Sequence, residues 1–169
     1  MSAHDVDAAV VRAIELRDIA GFIDCADTVF RERVYFSRPE PFPIDQSAQF
    51  VASNIRLANP QLVLEVTGRI VGWCDVVRRS IAIERHVGAL GIGMLAEYRG
   101  HGLGERLIRA TIEAARVAGF ERLELQVFAA NTVAAALYRK VGFVHEGTRL
   151  RAKKLDDVYD DVLTMGLIF

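Results

Sequence analysis

Two hydrophobic rhythms alternate along the chain. Residues 10–16 ("VVRAIEL") switch between apolar and polar, the period of a half-buried strand. From Ile19 the period lengthens. Ile19, Phe22, Ile23, Ala26 and Phe30 recur at three- and four-residue steps, predicting a helix over 19–34 with Asp18 as its N-cap. "SRPEPFPID" (37–45) holds three of the four prolines and reads as a loop. Asp45 then caps a second predicted helix, with Phe50, Ile55 and Leu57 on its apolar side. In "LVLEVTGRIVGWCDVV" two β-rich runs flank Thr67-Gly68, a hairpin signal, and "HVGALGIGML" (86–95) adds an apolar strand. Residues 103–118 read as a helix with Leu107, Ile108, Thr111, Ile112 and Ala115 inward, stopped at Gly119. "RLELQVF" (122–128) alternates as a strand. Asn131 caps a helix to about 141, ended by Gly142, and strands 143–154 and 158–168 turn at Asp156-Asp157. The order predicts an α/β fold: a mixed, mostly antiparallel sheet with one β–α–β crossover.

Composition changes this picture little. The 169 residues suit a single domain over 1–169, with 51% hydrophobic and 25% charged residues. A net charge of −1 gives no bulk electrostatic support for nucleic acid. No apolar run approaches the roughly 20 residues that span a bilayer, and "MSAHDVDAAVV" lacks the pattern of a secretion signal. The expectation is a cytoplasmic protein with no membrane partner. Cys25 and Cys74 lack metal spacing and read as buried thiols, with a disulfide open. The four histidines (His4, His86, His101, His145) show no ligand spacing, so no metal is expected.

The most informative stretch is "EYRGHGLGERLI" (97–108), with Gly100, Gly102 and Gly104 just before a helix. Strand, glycine-rich turn and helix N-terminus together make an anion site. First-turn N–H groups point outward, the helix dipole adds positive potential, and missing side chains let a phosphate approach. Arg99 and Arg106 add charge. A plain strand-to-helix turn gives the same pattern with no ligand. A dinucleotide site of the Rossmann type fits poorly: the spacing is G-x-G-x-G, and Glu124 lies inside its strand rather than at the end where a ribose would be held. Coenzyme A is the other phosphate ligand.

Here a resemblance enters. Arg99, Gly102 and Gly104 fill the pattern R-x-x-G-x-G, which resembles the pyrophosphate loop of GNAT-type N-acetyltransferases. "NTVAAALYRKVGF" (131–143) is similar to that family's second signature, and the order of elements agrees over almost the whole chain. The resemblance implies about four helices on a sheet whose two central strands splay apart to admit the pantetheine arm. It implies acetyl-CoA as cosubstrate, held by the backbone of Ile92, Gly93 and Met94, by Arg99, and by the loop Gly100, His101, Gly102, Leu103, Gly104 and Glu105. Asn131 would lie near the coenzyme as well as capping its helix. Tyr138 would serve the departing thiolate. A phenol's pKa of about 10 exceeds a thiol's of about 8.5, so a hydrogen bond to sulfur, with late or concerted proton transfer, is the better description. Tyr138 as a core aromatic is the plainer alternative.

The implied activity is direct acetyl transfer to the primary amine of a small molecule, such as an amino acid or an amine-bearing antibiotic. A protein N-terminus as acceptor, a non-catalytic acyl-CoA-binding or sensing domain, and a homodimer stay open. The family's usual seats for a general base hold Gln126 and Gly88 here. Strand period places His86 and Glu84 on the same face as Gly88 and Met94 if the strand extends that far, which makes them the candidate bases. The acceptor pocket is expected along "FRERVYFSRPEPFPID" (30–45), from Glu32, Tyr35 and Phe36, with Glu40, Phe42 and Asp45 beside them. A surface connector with solvated charges is the alternative there.

Overall fold

A computed structural model describes residues 8–35 and 43–169. Among them lie strands β1 (Val10–Ala13), β2 (Gln61–Val66), β3 (Arg69–Arg78), β4 (Val87–Met94), β5 (Arg122–Phe128), β6 (Val144–Leu155) and β7 (Val158–Ile168). The helices are α1 (Ile19–Arg31), α2 (Ile44–Arg56), α3 (Leu103–Val117) and α4 (Thr132–Lys140). The strands form one sheet in the order β1-β2-β3-β4-β5-β7-β6. Every pairing is antiparallel except β4 with β5, which α3 joins by the expected crossover.

Helices cover both faces, and strand parity assigns each residue to one of them. Trp73 of β3 packs edge-on against Phe22 of α1, ring centroids 5.7 Å apart, and against Phe30. Asn54 of α2 bonds to Gln61 of β2. From Trp73 onward, odd-numbered β3 residues therefore face α1 and α2. Cys74, of opposite parity, lies against Thr111 of α3, so α3 and α4 cover the other face. This two-sided burial explains why β3 is buried from Ile70 to Val76 without alternation.

The hairpin turns fall where the sequence placed them: Thr67, Gly68, Asp156 and Asp157 all have positive φ. Two of the three predicted N-caps are corrected. Asp18 gives α1 no capping bond. Its carboxylate accepts 2.6 and 2.8 Å bonds from Arg12 and one from the Glu15 N–H. Arg12 also holds Glu65, so this network ties β1 to the start of α1. Asp45 lies inside the first turn of α2, after Pro43. That helix buries Val51 and Asn54, while Ile55 and Leu57 are exposed, because the face meeting β2 is one position off the expected one. Cys25 and Cys74 are free and buried, and burial pushes both thiols up, Cys25 to about 12.

Candidate acetyl-transfer site

The parallel pairing of β4 with β5 is short. Its register runs Val87↔Arg122, Gly88↔Leu123, Ala89↔Glu124 and then stops. Beyond this point β5 continues on β7 to Phe128 and β4 continues on β3 to Met94, so the two strands part. From Leu90 onward, the side of β4 facing β5 has no strand partner among the described residues. Free strand edge inside a sheet is costly unless something bonds to it. The cavity at the parting has a volume of about 340 Å³ and is lined by Arg79, Ala89, Leu90, Glu124, Leu125, Gln126 and Thr164.

The glycine loop lies at the open end of β4. Gly102 caps α3 in the left-handed region, φ 78°, a conformation that side chains disfavour. The first helical bond runs from the Arg106 N–H to the Gly102 carbonyl. The N–H groups of Leu103, Gly104 and Glu105 are thus outside the helical ladder. A Cβ built on Gly102 meets nothing within 4 Å; one on Gly104 lies 3.7 Å from Leu137 Cδ2. The backbone here is a cradle with free donors and room beside it, which fits a diphosphate. Side-chain charge is differently placed than expected. Arg99 donates to both Glu32 oxygens, at 2.8 and 2.7 Å, and to the Met94 carbonyl. Arg106 is held by the Ala9 carbonyl. Both guanidiniums are occupied with the fold. The Glu105 carboxylate is bonded by Lys140 and Arg109, leaving its backbone N–H as the group that faces a ligand. His101 is exposed at the loop's tip.

Asn131 caps α4 by accepting the Ala134 N–H at 3.1 Å, as expected, and its amide nitrogen has no partner among the described residues. Tyr138 is only 8% exposed. Its ring packs edge-on to Phe143, and burial, with the Cys74 thiol nearby, pushes the phenol far above its usual range. No described residue hydrogen-bonds its hydroxyl. A buried, protonated and unpaired O–H is a donor held ready for a sulfur or oxygen brought to it.

The candidate bases are not at the parting. β4 begins at Val87; Glu84 ends a short turn and His86 precedes the strand. The His86 carbonyl accepts the Glu121 and Arg122 N–H groups at the closed end of the β4–β5 pair. At about 3.3 Å per residue, His86 lies roughly 13 Å or more along the strand from the first unpaired residue, Leu90. The strand does not reach back to Glu84, so the condition for their sharing a working face fails. On the acceptor side, Glu32 is neutralised by Arg99, whose guanidinium also lies 4.8 Å from the centroid of the Tyr35 ring. Glu32 therefore presents no free charge to an ammonium. Phe36, Glu40 and Phe42 lie outside the described residues.

Two acids that the sequence reading left aside are brought beside the parting. Glu124 stands at the apex, bonded by Arg79. Asp75 is the cross-strand partner of Gly91 on the α1 face. A single acid inside the apolar run "IVGWCDVV" was the available signal.

The family model for the acetyltransferase (GNAT) family matches residues 22–143, more than half of the chain. The L-amino acid N-acetyltransferase AaaT of Escherichia coli is 30% identical over 112 residues, covering 64% of this chain and 67% of that protein. The N-alpha-acetyltransferase RimI of Mycobacterium tuberculosis is 37% identical over 86 residues, 50% of this chain and 51% of that protein, so the match spans about half of its length. The Salmonella typhimurium YncA structure, described with its cofactor acetyl-CoA, superposes with a TM-score of 0.89 over 95% of this chain and 93% of that one at 19% identity, a likeness of fold. With the parted strands, the glycine-capped helix and this family match together, the chain belongs to the GNAT family of acetyltransferases.

Proposed function

We propose that this protein transfers an acetyl group from acetyl-CoA to the primary amine of a small molecule. The observation that carries the reading is the parting of β4 from β5 after Ala89 and Glu124, with the unbonded N–H groups of α3 at its mouth. Acetyl-CoA supplies an activated thioester carbonyl. The first-turn N–H groups of Leu103, Gly104 and Glu105 would hold its diphosphate. The unpaired edge of β4, at Ile92, Gly93 and Met94, would bond the amide arm and fix its direction. A backbone N–H on that edge would stabilise the charge developing on the thioester oxygen. Tyr138 would give its hydrogen bond to the departing sulfur.

A small amine is favoured over a protein N-terminus by the modest size of the cavity, about 340 Å³, bounded by Arg79, Glu124 and Gln126. AaaT is named for acetylating amino acids and RimI for N-alpha acetylation, so each reading has a relative. The test is thiol release from acetyl-CoA across a panel of amino acids, aminoglycosides, polyamines and short peptides. Turnover with at least one small amine, above all peptides, is expected. Release with peptides alone would move the assignment to protein N-termini; release with neither would refute it.

A further inference from the structure

On the α1 face, β4 presents Ala89, Gly91 and Gly93; the Trp73 ring covers Gly93, while Gly91 is left partly open. Beside Gly91 on β3 is Asp75. Both its carboxylate oxygens lie 3.5 Å from where a Gly91 side chain would begin, so the carboxylate leans over the space that glycine leaves. Asp75 itself is only 8% exposed, while Gly91 is partly open. The acid is therefore one residue's width from the unpaired edge of β4.

No described residue neutralises it. Its one hydrogen bond among the described residues comes from the Trp73 indole N–H, two residues back on the same face. From β2 it faces Gln61, from β4 Gly91. The inward faces of α1 and α2 contribute Phe22, Cys25, Ala26 and Val29, and Val51 and Asn54. Charged groups on this side among the described residues are paired with each other: Arg79 with Glu124, Arg99 with Glu32, and Arg12 with Asp18 and Glu65. A buried carboxylate with one donor and no cation is expensive for a fold to keep. Its surroundings are polar all the same. Asn59 donates to Asn54 and Asn54 to Gln61, which ends in a buried amide nitrogen with no partner. Gln61 pairs across the strands with Asp75, so an uncommitted donor shares its face.

We propose that Asp75 is the general base of the transfer, receiving the proton of the acceptor amine over Gly91. This rests on the acetyltransferase reading above. The acceptor enters as an ammonium and gives one proton to the Asp75 carboxylate. The freed nitrogen lone pair forms the C–N bond, the C–S bond breaks, and the second nitrogen proton passes to sulfur with Tyr138 bridging. Asp75 then returns its proton to water. Burial raises the Asp75 carboxyl to about 7, which matches a base working near neutrality.

The experiment compares wild type, Asp75→Asn and Asp75→Glu with the best amine found. Wild-type kcat/KM should fall on the acidic side with an apparent pKa near 7. Asp75→Asn should lose that limb and about 10²-fold in kcat at neutral pH, with the acetyl-CoA KM within twofold. Asp75→Glu should recover part of the rate. Carboxyl NMR of the enzyme alone should show one aspartate titrating near pH 7 that vanishes in Asp75→Asn. An active wild type whose limb survives in Asp75→Asn with less than fivefold loss overturns the base. So does the absence of that NMR titration. A wild type inert with every amine overturns the reaction itself.

Discussion

The Asp75 carboxyl makes folding stability depend on pH in an unusual direction, and Asp75→Asn exposes it. In the unfolded chain the group titrates near 3.9; in the folded protein, near 7, because burial disfavours the charge. The folded state thus holds a proton that the unfolded state has released, and stability falls as pH rises from about 4 to about 7. Nearly all the loss is in place above pH 8. At about 1.4 kcal/mol per pH step, the penalty is about 2 kcal/mol at pH 5 and about 4 kcal/mol at pH 8.5, a difference of about 2–3 kcal/mol. Asparagine does not titrate, and its own packing cost is the same at both pH values. Subtraction between them removes that cost. In a domain of 169 residues, each kcal/mol shifts Tm by about 2–4 °C. Calorimetry at pH 5 and pH 8.5 should therefore find the Tm of Asp75→Asn, relative to wild type, higher by about 5–10 °C at the upper pH. An equal Tm difference at both values would show that the carboxylate is not desolvated and would refute the reasoning.

Other outcomes follow from the geometry. Gly104→Val should weaken coenzyme A binding by more than tenfold, above about 1.4 kcal/mol by titration calorimetry, while Tm changes little because a Cβ at Gly104 makes only an ordinary 3.7 Å contact. Tyr138→Phe should cost about 10–100-fold in kcat without loss of Tm, since the hydroxyl has no partner among the described residues to lose. His86→Ala should leave the pH profile of kcat/KM unchanged; a vanished acidic limb would return His86 to the mechanism. Asp18→Ala should cost about 1–3 kcal/mol at neutral pH by denaturant melts. Arg12 holds the Asp18 carboxyl below its ordinary range. Its contribution is therefore present above pH 4 and fades as pH falls below that, so wild type and variant should converge in acid.

The sequence carried most of the element order, because local period and punctuation decide helices and strands. β5 spans 122–128 as read, and Gly102, Gly119 and Gly142 sit at helix ends with positive φ. What escaped was set by distant partners. Asp18 looked like a cap because its competitor, Arg12, belongs to another element. Arg99 looked free for phosphate because its partner, Glu32, is 67 positions away. His86 and Glu84 were placed by assuming a longer strand. The parting itself is invisible in the sequence of either strand: β4 reads as one apolar run and β5 as one alternating run, and only the register shows that they separate after three pairs. Asp75 was hidden by the same cause. A strand covered on both faces has no alternation to reveal which way its one acid points.

The central claim is that the space between β4 and β5 seats acetyl-CoA, and a crystal structure of the protein with coenzyme A tests it most directly. The account predicts the diphosphate on the backbone N–H groups of Leu103, Gly104 and Glu105. The pantetheine should bond the β4 edge at Ile92–Met94, with the sulfur within hydrogen-bonding reach of Tyr138. Coenzyme A bound away from the parted strands, or with its sulfur out of reach of Tyr138, would contradict it.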